Sequence, residues 1–236
     1  MRNKNMKLAI MQPYFFPYIC YWQAIAAVDK YVVYDDVNYI KGGWVNRNRI
    51  LVGNSAKFVT LALDKSSPYK KINEIDILQY GKQNAVNAIE NAYRKAPYFK
   101  EIFPFIKSII ANQEPNLAEY LYSQIKNVAN YLNITTKLLL SSRDVEKDSA
   151  LKGQEKVLDI CKRLGATQYI NAIGGQELYS ASEFEKNGIA LNFLKTHNIE
   201  YKQFDNTFVP NLSILDALMF NPVENVKRML SKMEFV

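Results

Sequence analysis

The chain has 236 residues, 48% of them hydrophobic, which suits one large α/β domain or one domain carrying a helical subdomain. Thirty Lys and Arg against 23 Asp and Glu give a formal charge of +7, which favours anionic partners without naming them. The basic residues are spread along the chain, no long clean apolar run occurs, and a single His accompanies two Cys, so a nucleic-acid-binding arm, membrane insertion and a zinc site are not expected.

The first fifty residues carry the densest signal. Leu8–Gln12 reads as a buried strand, Pro13 and Pro17 stiffen the loop Gln12–Tyr18, Tyr21–Val28 reads as a helix, and Tyr31–Tyr34 as a second strand. In such a βαβ unit the ligand side lies beyond the carboxyl ends of the strands, where Gln12, Tyr14, Tyr18 and the pair Asp35-Asp36 fall. The leader-like look of Arg2, Lys4 and Lys7 before an apolar run is contradicted by Gln12, Pro13 and Pro17, which interrupt it. Residues 49–52 and 57–63 form the arms of a predicted hairpin around Gly53-Asn54. Helical spacing follows at 83–95, 99–111 and 116–132, with Asn116 as N-cap of the third. The α/β alternation then returns: strand 136–140, helix 151–164 stopped by Gly165, strand 167–173, helix 182–187, strand 189–194, and helices 211–220, capped by Asn211, and 222–232. The expected fold is α/β, a mostly parallel Rossmann-like sheet with a helical insertion, divided as 1–80, 81–133 and 134–236.

Four groups carry candidate chemistry. Asp35-Asp36 reads as a Mg²⁺ or ammonium acceptor, or as an ordinary solvated loop, and neighbours on one strand point opposite ways. Lys41-Gly42-Gly43-Trp44 with Asn46, Arg47, Asn48 and Arg49 reads as a phosphate- or carboxylate-gripping turn with a ring for stacking, although the P-loop spacing is absent. Asn171, Gly174, Gly175 and Gln176 form a second glycine loop after a strand. His197 is the lone imidazole, a candidate base or a plain surface histidine, and Cys20 and Cys161 read as buried free thiols of a reducing cytosol. Opposite charges at neighbouring strand ends suggest a phosphorylated or zwitterionic small molecule, with the rigid bend, the acid pair and the tryptophan turn converging on one pocket.

Five segments together resemble the WbqC-like family of bacterial polysaccharide-cluster proteins: 11–19, 33–37, 41–50, 169–179 and 210–216. The resemblance implies glycine more often than cysteine where Cys20 stands here, which argues against a catalytic thiol. The resemblance implies cytoplasmic O-antigen or lipopolysaccharide biosynthesis, and transfer of a glycyl, aminoacyl or related acyl group to the amine of a nucleotide-linked aminodideoxy sugar. On that implication Lys41, Arg47 and Arg49 hold the pyrophosphate. Asp35 or Asp36 takes the amine or Mg²⁺, Asn46, Asn171 or Gln176 orients the carbonyl or sugar, and His197 is the base. Gln12, Tyr14, Tyr18, Trp44, Gly174 and Gly175 line the site. The partners implied are the sugar nucleotide and a small acyl or amino-acid donor, with ATP and Mg²⁺ as candidate cofactors. The alternatives are a non-catalytic nucleotide-sugar binding or assembly factor, and an adenylating ligase. The latter follows from a looser likeness of layout to HIGH-type nucleotidyltransferases, whose motif histidines are absent where Pro17, Tyr18 and Cys20 stand.

Overall fold

A computed structural model describes residues 5–204 and 207–236; Arg2 and Lys4 lie outside them. Strand β1 (Lys7–Met11) leads through the proline bend into α1 (Ile19–Ala26) and β2 (Lys30–Val33). The hairpin β3 (Arg47–Val52) and β4 (Ser55–Thr60) follows, then a two-residue ladder of β5 (Leu63–Asp64) with β6 (Asp76–Ile77). Helices α2 (Gln79–Tyr93), α3 (Phe99–Ile110) and α4 (Leu117–Tyr131) come next, with the Asn116 side chain accepting from Ala118 N and Glu119 N as the N-cap of α4. The second half runs β7 (Lys137–Leu140), α5 (Ser141–Asp144), α6 (Gly153–Leu164), β8 (Gln168–Ala172), α7 (Ala181–Lys186), β9 (Ala190–Thr196), α8 (Ile214–Phe220), α9 (Val223–Met229) and β10 (Met233–Phe235).

Six strands form one sheet in the order β10-β9-β8-β1-β2-β7, all neighbours parallel except β10. Counted by appearance within the sheet, this is the doubly wound order 3-2-1-4-5-6, whose direction of winding reverses between β1 and β8. Alternation along the strands builds two cores. Ala9, Tyr31 and Val33 face α1 and the insertion helices, packing with Trp22, Ile25, Leu121 and Ile125. Leu8, Ile10 and Val32 face α6 and α7, packing with Val157, Ile160 and Phe184. The fold is therefore the expected α/β architecture, with α2–α4 inserted in the crossover between β2 and β7. Among the described residues no helix is long and apolar enough to cross a membrane.

The differences from the sequence reading are local. The short elements β5, β6, α5 and β10 were not expected, because two to four residues carry no readable periodicity. Asn211 is not a helix cap: it takes a left-handed backbone with φ of 57°, and α8 begins later, capped by Ser213 through Leu215 N. Gly174-Gly175 lies within a 3₁₀ turn, Ile173–Leu178, rather than an open loop.

The bend after β1 is held from every side. Phe16 is fully buried and has a positive φ of 39°, unusual for a bulky residue. Its N–H donates to Gln124 Oε1 of α4 (3.2 Å), and its carbonyl accepts from Asn48 Nδ2 of β3 (2.9 Å) and Ser213 Oγ (2.7 Å). Asn48 Nδ2 also donates to the Phe15 carbonyl (3.1 Å), Phe15 N donates to the Trp44 carbonyl (3.3 Å), and Trp22 Nε1 donates to the Pro17 carbonyl (2.9 Å). Replacing Asn48 by Leu keeps the volume but leaves the buried Phe15 carbonyl without that donor. The expected loss is about 1–3 kcal/mol, read as a fall of about 2–4 °C in Tm per kcal/mol for a chain of this size. An unchanged Tm and denaturant midpoint would show that the bend does not depend on this clamp.

Candidate functional site

Two adjoining cavities open around the end of this bend. One, of about 300 Å³, is lined by Tyr18, Trp44, Asn48, Arg49 and Asn211. The other, of about 280 Å³, includes Tyr18, Thr196, His197, Tyr201, Phe208 and Asn211 in its wall. Tyr18 and Asn211 line both, so the cavities meet there. Each lies near the lower limit for a small-molecule site, and the two together fall within that range. Tyr18 reaches this position because Pro17 ends the bend and Tyr18 bridges to Ser213, beside the first turn of α1. Burial, with a smaller contribution from Cys20, pushes its phenol well above the ordinary tyrosine range.

The walls of the two cavities differ in chemistry. In the first, the Arg49 guanidinium lies 5.5 Å from the Trp44 ring and donates from Nη2 to the Asn211 carbonyl (3.0 Å), while its buried Nε has no partner. A guanidinium beside an exposed indole can hold an anionic group and a planar one together. In the second, His197 follows β9, is half exposed and stands 3.9 Å from Glu234. Among the described residues of that wall it is the one imidazole.

The remaining predicted residues lie elsewhere or are committed to the fold. Neither cavity is lined by Asp35 or Asp36, so the bend and the tryptophan turn meet around a pocket that the acid pair does not join. Asp35 is fully buried and accepts from Ser142 N (2.9 Å) and Ser142 Oγ (2.5 Å), fastening the loop after β7; burial raises its carboxyl despite these donors. Asp36 takes ion pairs from Lys156 (3.0 Å) and Lys147 (3.3 Å). Burial pushes Asp36 up, but the neighbouring Ser141 hydroxyl and the two ammonium groups outweigh it and hold the carboxyl below its ordinary value. Among the described residues no group of three or more His, Cys, Asp or Glu is placed to hold a metal ion.

Arg47 folds back on its own turn, donating to the Gly43 carbonyl (3.1 Å) and to that of Gly42, with its guanidinium 4.2 Å from the Phe58 ring. Gly42 turns there at φ 75°, where a side chain would be strained. Lys41 is exposed on the turn. Asn46 is buried and paired, accepting from Tyr39 Oη and donating to the Leu61 carbonyl. Tyr14 is partly buried, its ring 5.6 Å from Tyr21 and its carbonyl accepting from Gln124. The Gln12 carbonyl accepts from Tyr21 Oη beside the end of β1. Asn171 ends β8 and accepts from Ala172 N; a Cβ on Gly175 would lie 2.8 Å from the Asn171 amide, so a side chain there would push that amide aside. Gly174 and Gln176 are exposed on the same turn.

Sequence reasoning missed Tyr201 and Phe208, and treated Asp216 only as a helix position. Asp216 is fully buried behind the second cavity and accepts from Tyr93 Oη (2.9 Å), Tyr201 Oη (2.8 Å) and Gln203 Nε2 (2.5 Å). Burial raises its carboxyl, and the three donors offset that in part. The available signal was an acidic residue inside an otherwise apolar helix, which implies a buried, partnered carboxylate.

A family model described as the WbqC-like protein family matches residues 12–228. The chain is 30% identical over 220 residues to the uncharacterized protein Rv1507c of Mycobacterium tuberculosis strain H37Rv, a match covering 91% of this chain and 93% of that one. No solved structure matches significantly.

The Asp36 cluster makes a pH-dependent contribution of defined sign. A carboxyl held below its unfolded value stabilises the fold above that value and loses the effect as pH falls through it. Asp36→Asn leaves two nearly buried ammonium groups without their counter-charge, at an expected cost of about 3 kcal/mol at pH 7. Urea titrations of both proteins at pH 7 and pH 3 should show the deficit shrinking in acid; equal deficits at both would refute the assignment.

Proposed function

The chain belongs to the WbqC-like protein family, and on that footing we propose that it is a cytoplasmic enzyme of bacterial surface-glycan (O-antigen) assembly. In this reading it transfers a glycyl, aminoacyl or related acyl group to the amine of a nucleotide-linked aminodideoxy sugar. The supporting observation is the pair of adjoining cavities, one walled by Trp44 and Arg49 and the other holding His197. The first suits a nucleotide diphosphate: the indole offers a stacking face to the base, and the Arg49 guanidinium beside it supplies positive charge and Nη donors for a phosphate. The second then receives the amino sugar and the acyl donor.

The chemistry needs an activated donor such as a thioester, acyl phosphate or acyl adenylate. The amine nitrogen attacks the acyl carbonyl carbon, a C–N bond forms, and the bond to the leaving group breaks with its electron pair. The His197 imidazole accepts the proton that the amine sheds. Asp35 and Asp36 do not fit a Mg²⁺ site, because Ser142 occupies one and two lysines the other. No step here passes through a metal.

The runner-up, a non-catalytic sugar-nucleotide binder, is favoured by one observation: among the described residues no nucleophile stands paired with His197, whose imidazole lies 3.9 Å from Glu234, beyond hydrogen-bond distance. Incubation with amino-sugar nucleotides, glycine, ATP and Mg²⁺, or with acyl thioesters, separates the two by the mass of the product. Arg49→Ala should weaken sugar-nucleotide binding by about 1.5–3 kcal/mol, roughly ten- to a hundred-fold in Kd. His197→Ala should leave Kd alone and lower kcat by about a hundred-fold or more. Tight binding with no product over the donor series would sink the enzyme reading, and unchanged affinity in Arg49→Ala would sink the diphosphate site.

A further inference from the structure

We infer that the His197 cavity is an ammonium site, taking the protonated amine of its ligand in a corner of three aromatic rings, Tyr18, Tyr201 and Phe208, backed by the Asp216 carboxylate. The inference names the ligand chemistry of the second cavity and so deepens the functional reading on which it rests. It requires no transfer reaction.

Composition of the wall is the first argument. Although the chain carries +7, no Lys, Arg, Asp or Glu among the described residues lines this cavity. The described wall offers a charged ligand ring faces and the charge set behind them. Tyr201 and Phe208 meet edge to face, with ring centroids 5.1 Å apart and planes at 74°, and Tyr18 lines the same cavity. Ring faces carry negative quadrupole potential, and a corner of two or three rings is how proteins bind ammonium groups without a direct ion pair.

The second argument is the charge state of Asp216. Gln203 Nε2 can only donate to it, and Tyr93 Oη already accepts from Leu51 N (3.0 Å), so its proton is directed at Asp216. Donors converging on both oxygens are the pattern of an ionised carboxylate. Among the described residues every partner of Asp216 is neutral, and no ion pair includes it. A buried anion without a counter-ion imposes a negative potential on its surroundings, and the cavity-lining Tyr201 is bonded directly to it. Donation of the Tyr201 hydroxyl to that anion also makes the ring more electron-rich. A cation entering the aromatic corner compensates the buried charge, whereas an anion entering it is repelled.

The test needs neither sugar nor acyl donor. Saturation-transfer NMR compares 2-aminoethanol at pH 7, where it is protonated, with ethylene glycol, its neutral match. Binding of the amine and none of the diol is expected. Phe208→Leu, at a partly exposed position, should weaken amine binding by about fivefold with Tm unchanged, and Asp216→Asn should do the same or more. Equal binding of amine and diol overturns the inference, as does unaltered amine affinity in folded Phe208→Leu. Amine binding that survives in Arg49→Ala, beside lost sugar-nucleotide binding, keeps the two cavities' assignments separable.

Discussion

The backbone of Phe16 is the constraint around which the rest is arranged. A bulky residue with a left-handed backbone costs about 1–3 kcal/mol, and it persists here because Gln124, Asn48 and Ser213 bind its two polar groups from three other elements. The two prolines on either side limit the alternatives open to the chain. The bend carries the strand end into α1 and leaves Tyr18 between the two cavities. Asn48 belongs at once to this clamp and to the wall of one cavity, so scaffold and site share atoms.

Charge is distributed with the same economy of elements. The two carboxylates nearest the ends of the strands serve the fold: Asp35 holds the loop after β7, and Asp36 draws Lys147 and Lys156 onto it. Asp216, bonded to the cavity-lining Tyr201, is held like Asp35 by neutral donors. Arg47 and Arg49, two residues apart on one strand, likewise divide their work. One closes its own turn; the other meets Trp44 and Asn211 at the cavity.

Much of the scaffold was legible because it rests on short-range pattern. The β1-α1-β2 unit, the β3–β4 hairpin, the Asn116 cap and the glycine stop after α6 all depend on neighbours a few residues away. The site was legible in pieces. Trp44, Arg49, Tyr18 and His197 could be singled out by residue type, but their grouping could not. Asp35 and Asp36 looked available because their partners lie 107 and 120 residues further along the chain. Asn46 and Arg47 looked exposed because a polar stretch reads the same whether its groups face solvent or neighbouring carbonyls. Asparagine favours the cap position, yet it equally tolerates a left-handed backbone, as Asn211 shows, and the hydroxyl of Ser213 fills the capping role.

The contacts that enclose the two cavities span the chain: Arg49 reaches Asn211 across 162 positions, and Ser213 reaches Phe16 across 197. Closing such separations is entropically late work in any folding sequence. A nascent or partly unfolded molecule thus possesses strands, helices and even the hairpin without possessing anywhere for a ligand to sit. The two cavities exist only in the finished topology, and a small molecule held there would act as a latch between the earliest and the last parts of the polypeptide.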